Sequence, residues 1–305
     1  MISLSKYIKT IDIINMPLFK RHKILLGVIL NSKDKPSKTE LMKWIFLTKK
    51  ETILKNENSY YDFVPYDYGP FSFTLYRDLN DLSRMGYLSK DQCEINDRLR
   101  DSVAAVYREI PKTVRDSINQ VVQYYSQFDQ DSLISSVYEK YPWFAHRSKL
   151  KSNAEPEVES NNDVLYTIGY EGKSIDTFLQ HLIRAKIKNL IDVRNNPVSR
   201  KYGFSKKSLS GLCSKLNIEY IHMPDLGVPS KLRQRLETFE DYQNLLNRYE
   251  KEIIPKLKEE RKQAEEYTLD KPSALVCFEA DVRCCHRSRL AKALAAKTGQ
   301  TVRHL

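Results

Sequence analysis

The chain has 305 residues, 41% hydrophobic and 29% charged, with five cysteines and a formal net charge of +11. That length accommodates two domains with cores of their own, and five cysteines, an odd number in a chain of this length, do not describe a disulfide framework and are expected to be free thiols. No apolar run reaches the roughly 20 residues of a membrane span, and Lys6, Lys9 and Asp12 interrupt the early apolar residues where a signal peptide would lie, so the expectation is a cytoplasmic protein with no membrane partner.

The positive balance favours an anionic partner: DNA or RNA, a nucleotide or another phosphorylated ligand. The excess is uneven. Residues 1 to 50 carry 11 Lys and Arg against 3 Asp and Glu, whereas residues 1 to 150 carry 23 against 18. A basic patch at the amino end is therefore expected, with ordinary solvated lysines as the plainer alternative.

Apolar residues recur at helical spacing from Leu18 to Leu30, and the run from Asn31 to Pro36 breaks the pattern. Ser37-Lys38-Thr39-Glu40 is a capping box, which predicts a second helix over Lys38 to Lys50 with Leu41, Trp44, Ile45 and Leu47 inward and Lys43, Lys49 and Lys50 outward. An aromatic, turn-rich stretch from Tyr60 to Ser72 leads into a third helix through Leu75, Leu79, Leu82 and Met85, which Gly86 stops before a short extended piece at Tyr87-Leu88. Three helices followed by a strand is the order of a winged-helix unit, whose ordinary use is to place a helix in the major groove. A protein-docking domain is the alternative. Further helical stripes run through Val103, Val106 and Ile110, then Val114, Ile118, Val121 and Tyr125. Residues 151 to 163 have almost no apolar content and carry Pro156, so they read as a linker after a first domain of residues 1 to 150.

From Val164 onward strand and helix alternate. Strands are expected at Val164–Gly169, Asn189–Val193, Ile218–His222, Ala274–Phe278 and Thr301–Leu305. Helices are expected at Ile175–Ala185, Lys206–Leu216 and Arg287–Lys297, with a long charged helical stretch from Phe239 to Tyr267 broken near Pro255. This rhythm implies an α/β, Rossmann-like, mostly parallel sheet covered by helices on both faces. Its carboxyl edge would carry Tyr170 and Glu171, Asp192 and Arg194, Asp225, and Cys277 and Glu279, where ligands of open α/β sheets bind.

The stretch Leu275–Leu290, LVCFEADVRCCHRSRL, concentrates the chemistry. A strand feeding a helix presents unpaired backbone N–H groups and the positive dipole end to the loop. With Arg194 and Arg287 these would hold an anion, alongside Tyr170 and Glu171 as substrate-binding residues. The same field would lower the pKa of Cys285 and make it a nucleophile near neutral pH, with His286 adjacent and Cys277 as the other candidate. Glu279 or Asp192 would be the general base or electrostatic stabiliser. Against these stand plainer readings: a cysteine at a strand end as core filler, His286 as a structural hydrogen-bonder, and Asp192-Val193-Arg194 as an internal ion pair ordering its loop. Cys277, Cys285 and His286 are poorly spaced for zinc, so neither a metal nor a cofactor is expected.

The second domain resembles the domain-of-unknown-function 488 family. The matching residues are Tyr166-Thr167-Ile168-Gly169-Tyr170, Asp192-Val193-Arg194 with Pro197 and Ser199, Tyr220-Ile221-His222 with Leu226-Gly227, and Cys277-Phe278-Glu279 with Cys285-His286-Arg287 and Leu290-Ala291. Where that family more often has a histidine in the first loop, this chain has Tyr170-Glu171. The resemblance implies a fold and a rim of residues, with no established reaction. In the first domain, Tyr68 to Ser72 and the following helix are similar to the amino-terminal domains of some bacterial winged-helix-like and Panacea-type antitoxin proteins.

The leading expectation is a nucleic-acid- or nucleotide-directed enzyme, a hydrolase of a phosphate-linked or base-linked bond, whose first domain holds the polymer. The alternative is a non-catalytic DNA-binding regulator whose second domain senses a nucleotide or metabolite. A defence or toxin-antitoxin component is the third reading.

Overall fold

Residues 17–32, 34–150, 162–233 and 236–305 are described by the computed structural model. The chain divides into two units, Met1–Ala154 and Glu155–Leu305. The linker expected at 151–163 falls almost wholly outside the described residues, as do Lys6 and Lys9.

In the first unit, α1 (Lys20–Asn31) precedes α2 (Lys38–Glu51), which starts where the capping box requires: the Ser37 hydroxyl accepts from the Glu40 N–H and the Glu40 carboxylate accepts from the Ser37 N–H. A hairpin follows, β1 (Val64–Tyr66) with β2 (Gly69–Phe71), and then α3 (Phe73–Arg84), capped by Ser72. Four more helices follow among the described residues of the unit: α4 (Arg100–Arg108), α5 (Lys112–Tyr125), α6 (Gln130–Lys140) and the single turn α7 (Pro142–Ala145). Tyr107 and Val122 take the buried positions expected of their neighbours Val106 and Val121.

The expected outward face of α2 is wrong at Lys43, which is 1% exposed. This helix is covered on nearly all sides, by α5, α6 and β2 among others. The Lys43 Nζ donates to the Tyr68 carbonyl at the hairpin turn.

Of the basic amino-terminal patch, Lys6, Lys9 and Lys33 lie outside the described residues, and the described cations are engaged internally. Lys20 pairs with Glu57, Arg21 with Asp78, Lys23 with Glu109, Lys35 with Asp91 and Glu94, and Lys49 lies 3.9 Å from Asp62. Lys38 and Lys50 lie over aromatic rings. Of the winged-helix order the three helices are present. After α3 there is one antiparallel bridge, Leu88 with Ile95, and the hairpin precedes α3 instead of following it. On α3, Arg77 contacts Asp78 and Asp81, and Arg84 contacts Asp81. The helix therefore presents no net charge to a polyanion.

The second unit is a five-stranded parallel sheet of β3 (Val164–Gly169), β4 (Asn189–Asp192), β5 (Glu219–His222), β6 (Ser273–Cys277) and β7 (Thr301–His304), in the order β5-β4-β6-β3-β7. Its helices are α8 (Ile175–Arg184), α9 (Lys206–Lys215), α10 (Phe239–Arg248), α11 (Lys258–Asp270) and α12 (His286–Thr298). The charged stretch expected to break near Pro255 does so, through a π-turn at Tyr249–Ile253 and a 3₁₀ turn at Ile254–Lys256.

Right-handed crossovers put α8 and α9 on one face and α11 and α12 on the other. The apolar layer joining Leu165, Ile191 and Leu275 to Ala264, Leu290 and Leu294 lies on the second face. The chain leaving β6 therefore turns to one face while the chains leaving its neighbours β3 and β4 turn to the other. β6 is the switch strand, and its carboxyl end is where a crevice must open.

Candidate functional site

Cys277 ends β6 and Cys285 is the N-cap residue of α12, so strand end and helix start fold back on each other within ten residues. The two sulfur atoms lie 3.1 and 3.0 Å from the same Glu279 oxygen, Oε2. His286 Nδ1 lies 3.6 Å from the Cys277 sulfur, and its Nε2 lies 3.0 Å from the Val193 carbonyl. A carbonyl only accepts, so Nε2 carries hydrogen and Nδ1 presents its lone pair or its second proton to the sulfur. The Tyr249 ring packs edge-on against the imidazole, and its hydroxyl is anchored on the Leu226 carbonyl. Arg233 closes the group from the solvent side, 3.8 Å from Glu279 Oε1 and 3.5 Å from His286 Nδ1.

Two glycines allow this convergence. A Cβ on Gly169 would lie 1.9 Å from the Glu279 carbonyl oxygen, and one on Gly227 would lie 2.4 Å from the Asn195 backbone nitrogen. Only hydrogen fits at either place.

The electrostatics differ from the sequence expectation. Burial acts to raise the Cys277 thiol, but the hydrogen bond from Cys285, the charge and hydrogen bond of His286 and the contact with Glu279 hold it well below the usual thiol range. Burial, contact with Cys277 and the charges of Cys277 and Glu279 push Cys285 well above it. The expected low-pKa Cys285 is therefore corrected: its side chain makes no cap bond to the first turn of α12, and the sulfur faces a carboxylate. For His286 burial opposes the charged form, yet Cys277 raises its pKa overall, while burial and Cys277 together raise that of Glu279. Cys284 is the partly exposed member of the three cysteines, its pKa raised by burial and then by Asp281.

The residues proposed as an anion fork have other duties. Arg194 is 4% exposed; its Nε and Nη2 donate to Asp192, and its Nη1 donates to the Tyr170 hydroxyl and the Phe204 carbonyl. Asp192 also accepts from Tyr220 at 2.5 Å, so the Asp192–Arg194 pair orders the loop in the way the plainer reading held. Arg287, 1% exposed, donates to the Glu279 and Ala280 carbonyls and clamps the loop after β6. Glu171 accepts from the Ala280 N–H in that loop, and Tyr170 stacks on Phe204 at 4.3 Å.

A cavity of about 360 Å³ lies beside the cluster, lined by Tyr170, Arg194, Asn195, Ser199, Arg200, Arg233 and Phe278 among others. Arg200 is exposed, Arg233 half-buried and Phe278 43% exposed. Arg200 and Arg233 are the cations missed from sequence. Arg200 could have been found from its place in the loop leaving β4 on the carboxyl edge; Arg233, in the long connection after β5, carried no such signal.

Residues 174–294 match the family model described as Domain of unknown function DUF488. The resemblance read from sequence thus holds for the C-terminal half, and the match includes no residue of the first unit. No curated protein and no solved structure matches the chain. Among the described residues no helix is long and apolar enough to cross a membrane.

Proposed function

We propose that the second domain is the catalytic part of a nucleotide-directed enzyme, a hydrolase of a phosphate-linked or base-linked bond. The observation that carries this is the placement of a partly exposed aromatic ring, Phe278, in the same 360 Å³ cavity as the Arg200 and Arg233 guanidinium groups, one of which touches Glu279. A π-face for a base and planar cationic forks for phosphate are the two recognition elements a nucleotide requires. Glu279 is the partly exposed member of the cluster, its side chain 19% exposed, joined to the cavity through Arg233, and it acts as general base or electrostatic stabiliser under that arginine. Asp192, already bound to Arg194 and Tyr220, holds the rim.

A second reading is favoured by the burial of the sulfur atoms, 0% exposed at Cys277 and 1% at Cys285: a domain that binds the same nucleotide without turnover, as a sensor. The first unit, in which Lys20, Arg21, Lys23 and Lys35 near the amino end and Arg77 and Arg84 on α3 meet carboxylates of the same unit, suits protein docking better than a polyanion. Incubating the protein and its Glu279→Gln variant with DNA, RNA and a nucleotide panel, with products and retained ligands read by mass spectrometry, tests both. A product absent from the variant supports the enzyme and names the bond. A retained nucleotide with no product supports the sensor, and neither product nor retained ligand refutes the nucleotide reading.

A further inference from the structure

We propose that Cys277, Cys285, His286 and Glu279 form a binding site for one zinc ion. One donor atom from each, two sulfurs, an imidazole nitrogen and a carboxylate oxygen, lie within 4.8 Å of one another. Three of the separations are 3.0, 3.1 and 3.6 Å. Ligands at about 2.0–2.3 Å around a tetrahedral zinc are separated by about 3.3–3.8 Å, so shifts of up to about 1 Å admit the ion. The objection from sequence spacing does not hold, because the turn after β6 brings residues 277, 279, 285 and 286 to one point.

Three further features fit a metal better than a nucleophile. The sulfur atoms are buried, whereas a thiolate that attacks a substrate needs an open approach. The imidazole is held by donation from Nε2 to the Val193 carbonyl, which leaves Nδ1 as the ligand atom in the usual manner of a metal-bound histidine whose other nitrogen is tethered to backbone. The charge also closes: two thiolates, a carboxylate and a divalent cation sum to −1, and Arg233 stands against Glu279 to offset it. Two sulfurs with one nitrogen select a borderline-soft ion over calcium or magnesium. Glu279, the one partly exposed ligand, is the position where water or a substrate oxygen can exchange.

The inference deepens the reading of the same site as catalytic, with Glu279 as an exchangeable ligand in place of a general base, yet its test does not depend on turnover. The full chain, prepared without chelator, is analysed for metal by mass spectrometry after gel filtration, and the expected content is about one zinc per chain. Replacement with Co²⁺ should give sulfur-to-cobalt charge-transfer absorption and the strong visible bands of a tetrahedral site. Cys285→Ser should abolish or weaken both. Should that variant fail to fold, the cobalt spectrum of the unaltered protein decides alone. Substoichiometric zinc after dialysis against Zn²⁺ together with an unchanged cobalt spectrum overturns the site, as does recovery of Cys277 and Cys285 as a disulfide from protein kept under reducing conditions. Zinc bound without any product or retained nucleotide leaves the metal site standing and removes the nucleotide reading. A product formed by protein that holds no metal does the reverse.

Discussion

Gly169→Ala should dismantle the loop that carries Glu279 while leaving the first unit intact. Gly169 is not in the left-handed region, so alanine meets no backbone penalty of its own. What it meets is the Glu279 carbonyl oxygen at 1.9 Å and the carbonyl carbon at 2.7 Å. Backbone cannot rotate aside, so the loop must retreat by more than about 1 Å to restore a normal contact. That retreat breaks the Arg287 Nη1 bond to Glu279, 2.5 Å, and strains both the Nη2 bond to Ala280 and the Glu171 bond to the Ala280 N–H. Bonds with a charged partner contribute about 1.5–3 kcal/mol each, so a partial loss predicts destabilisation of about 2–4 kcal/mol. At a urea slope of about 2 kcal/mol/M this moves the midpoint down by about 1–2 M. The assay can separate the two units, because both tryptophans, Trp44 and Trp143, belong to the first. Their fluorescence transition should stay in place while the far-ultraviolet circular dichroism acquires an earlier phase. Gly211→Ala is the control: on α9, with nothing within 4 Å of the added carbon, it should stabilise by about 0.5–1 kcal/mol. A Gly169→Ala midpoint within about 0.2 M of the parent would refute the close-approach argument.

Lys43 supplies a pH test. Burial lowers its pKa from 10.5 to about 7, so between those values the unfolded chain binds a proton that the folded protein lacks. The contribution is unfavourable in full below about pH 7 and is relieved as pH rises toward 10.5. At about 1.4 kcal/mol per pH unit the ceiling is about 5 kcal/mol, from which the lost bond to Tyr68 subtracts about 1; Lys43→Met should therefore stabilise at neutral pH by about 2–4 kcal/mol. Equal unfolding free energies for the two proteins at pH 7 and pH 10 would contradict this. On native protein Cys284 should be alkylated first and Cys277 and Cys285 at least tenfold more slowly, and mass-spectrometric mapping that finds Cys277 modified fastest would restore the nucleophile reading. Arg200→Glu should reduce nucleotide or oligonucleotide retention at low salt at least tenfold, whereas Arg84→Glu, on α3 and 81% exposed, should leave it within twofold; the opposite ranking would return nucleic-acid binding to the first unit.

The second domain was largely legible because its elements are local and strongly patterned. The apolar β3, β4 and β6 alternate with amphipathic helices, and a parallel sheet with helical crossovers follows from that alternation. The strand order was not legible, since which strand sits beside β6 is decided by crossover choices that leave no period in the sequence. In α2 the capping box fixed the first residue, but the outward placement of Lys43 failed: a helix covered on nearly all sides cannot be told from an amphipathic one when a single lysine finds a carbonyl inside. The basic count of residues 1 to 50 misled for a related reason. The carboxylates that pair with it, Glu57, Asp78, Asp91 and Glu109, arrive from up to 86 positions away. At the site, residue types were right and several roles were not. Arg194 and Arg287 look like an anion fork in sequence, yet their partners are an aspartate, a tyrosine hydroxyl and three backbone carbonyls supplied by the fold.

The division of labour at the carboxyl edge follows from β6 being the switch strand. The chain leaving it turns away from the chains leaving β3 and β4, so one strand, loop and helix can supply all four donors without a residue from elsewhere. Its neighbours contribute what a short segment cannot: Val193 orients the imidazole, Gly169 admits the loop, and Arg200 and Arg233 bring charge to the cavity. On the proposed nucleotide reading, substitutions at Arg200 would alter which anion is held without moving a donor atom. Substitutions at Gly169 or Arg287 displace the Glu279 loop and with it the site as a whole. Ligand specificity and the integrity of the centre are therefore separable by mutation, with Arg233, which touches both Glu279 and the cavity, as the one side chain where the two must change together.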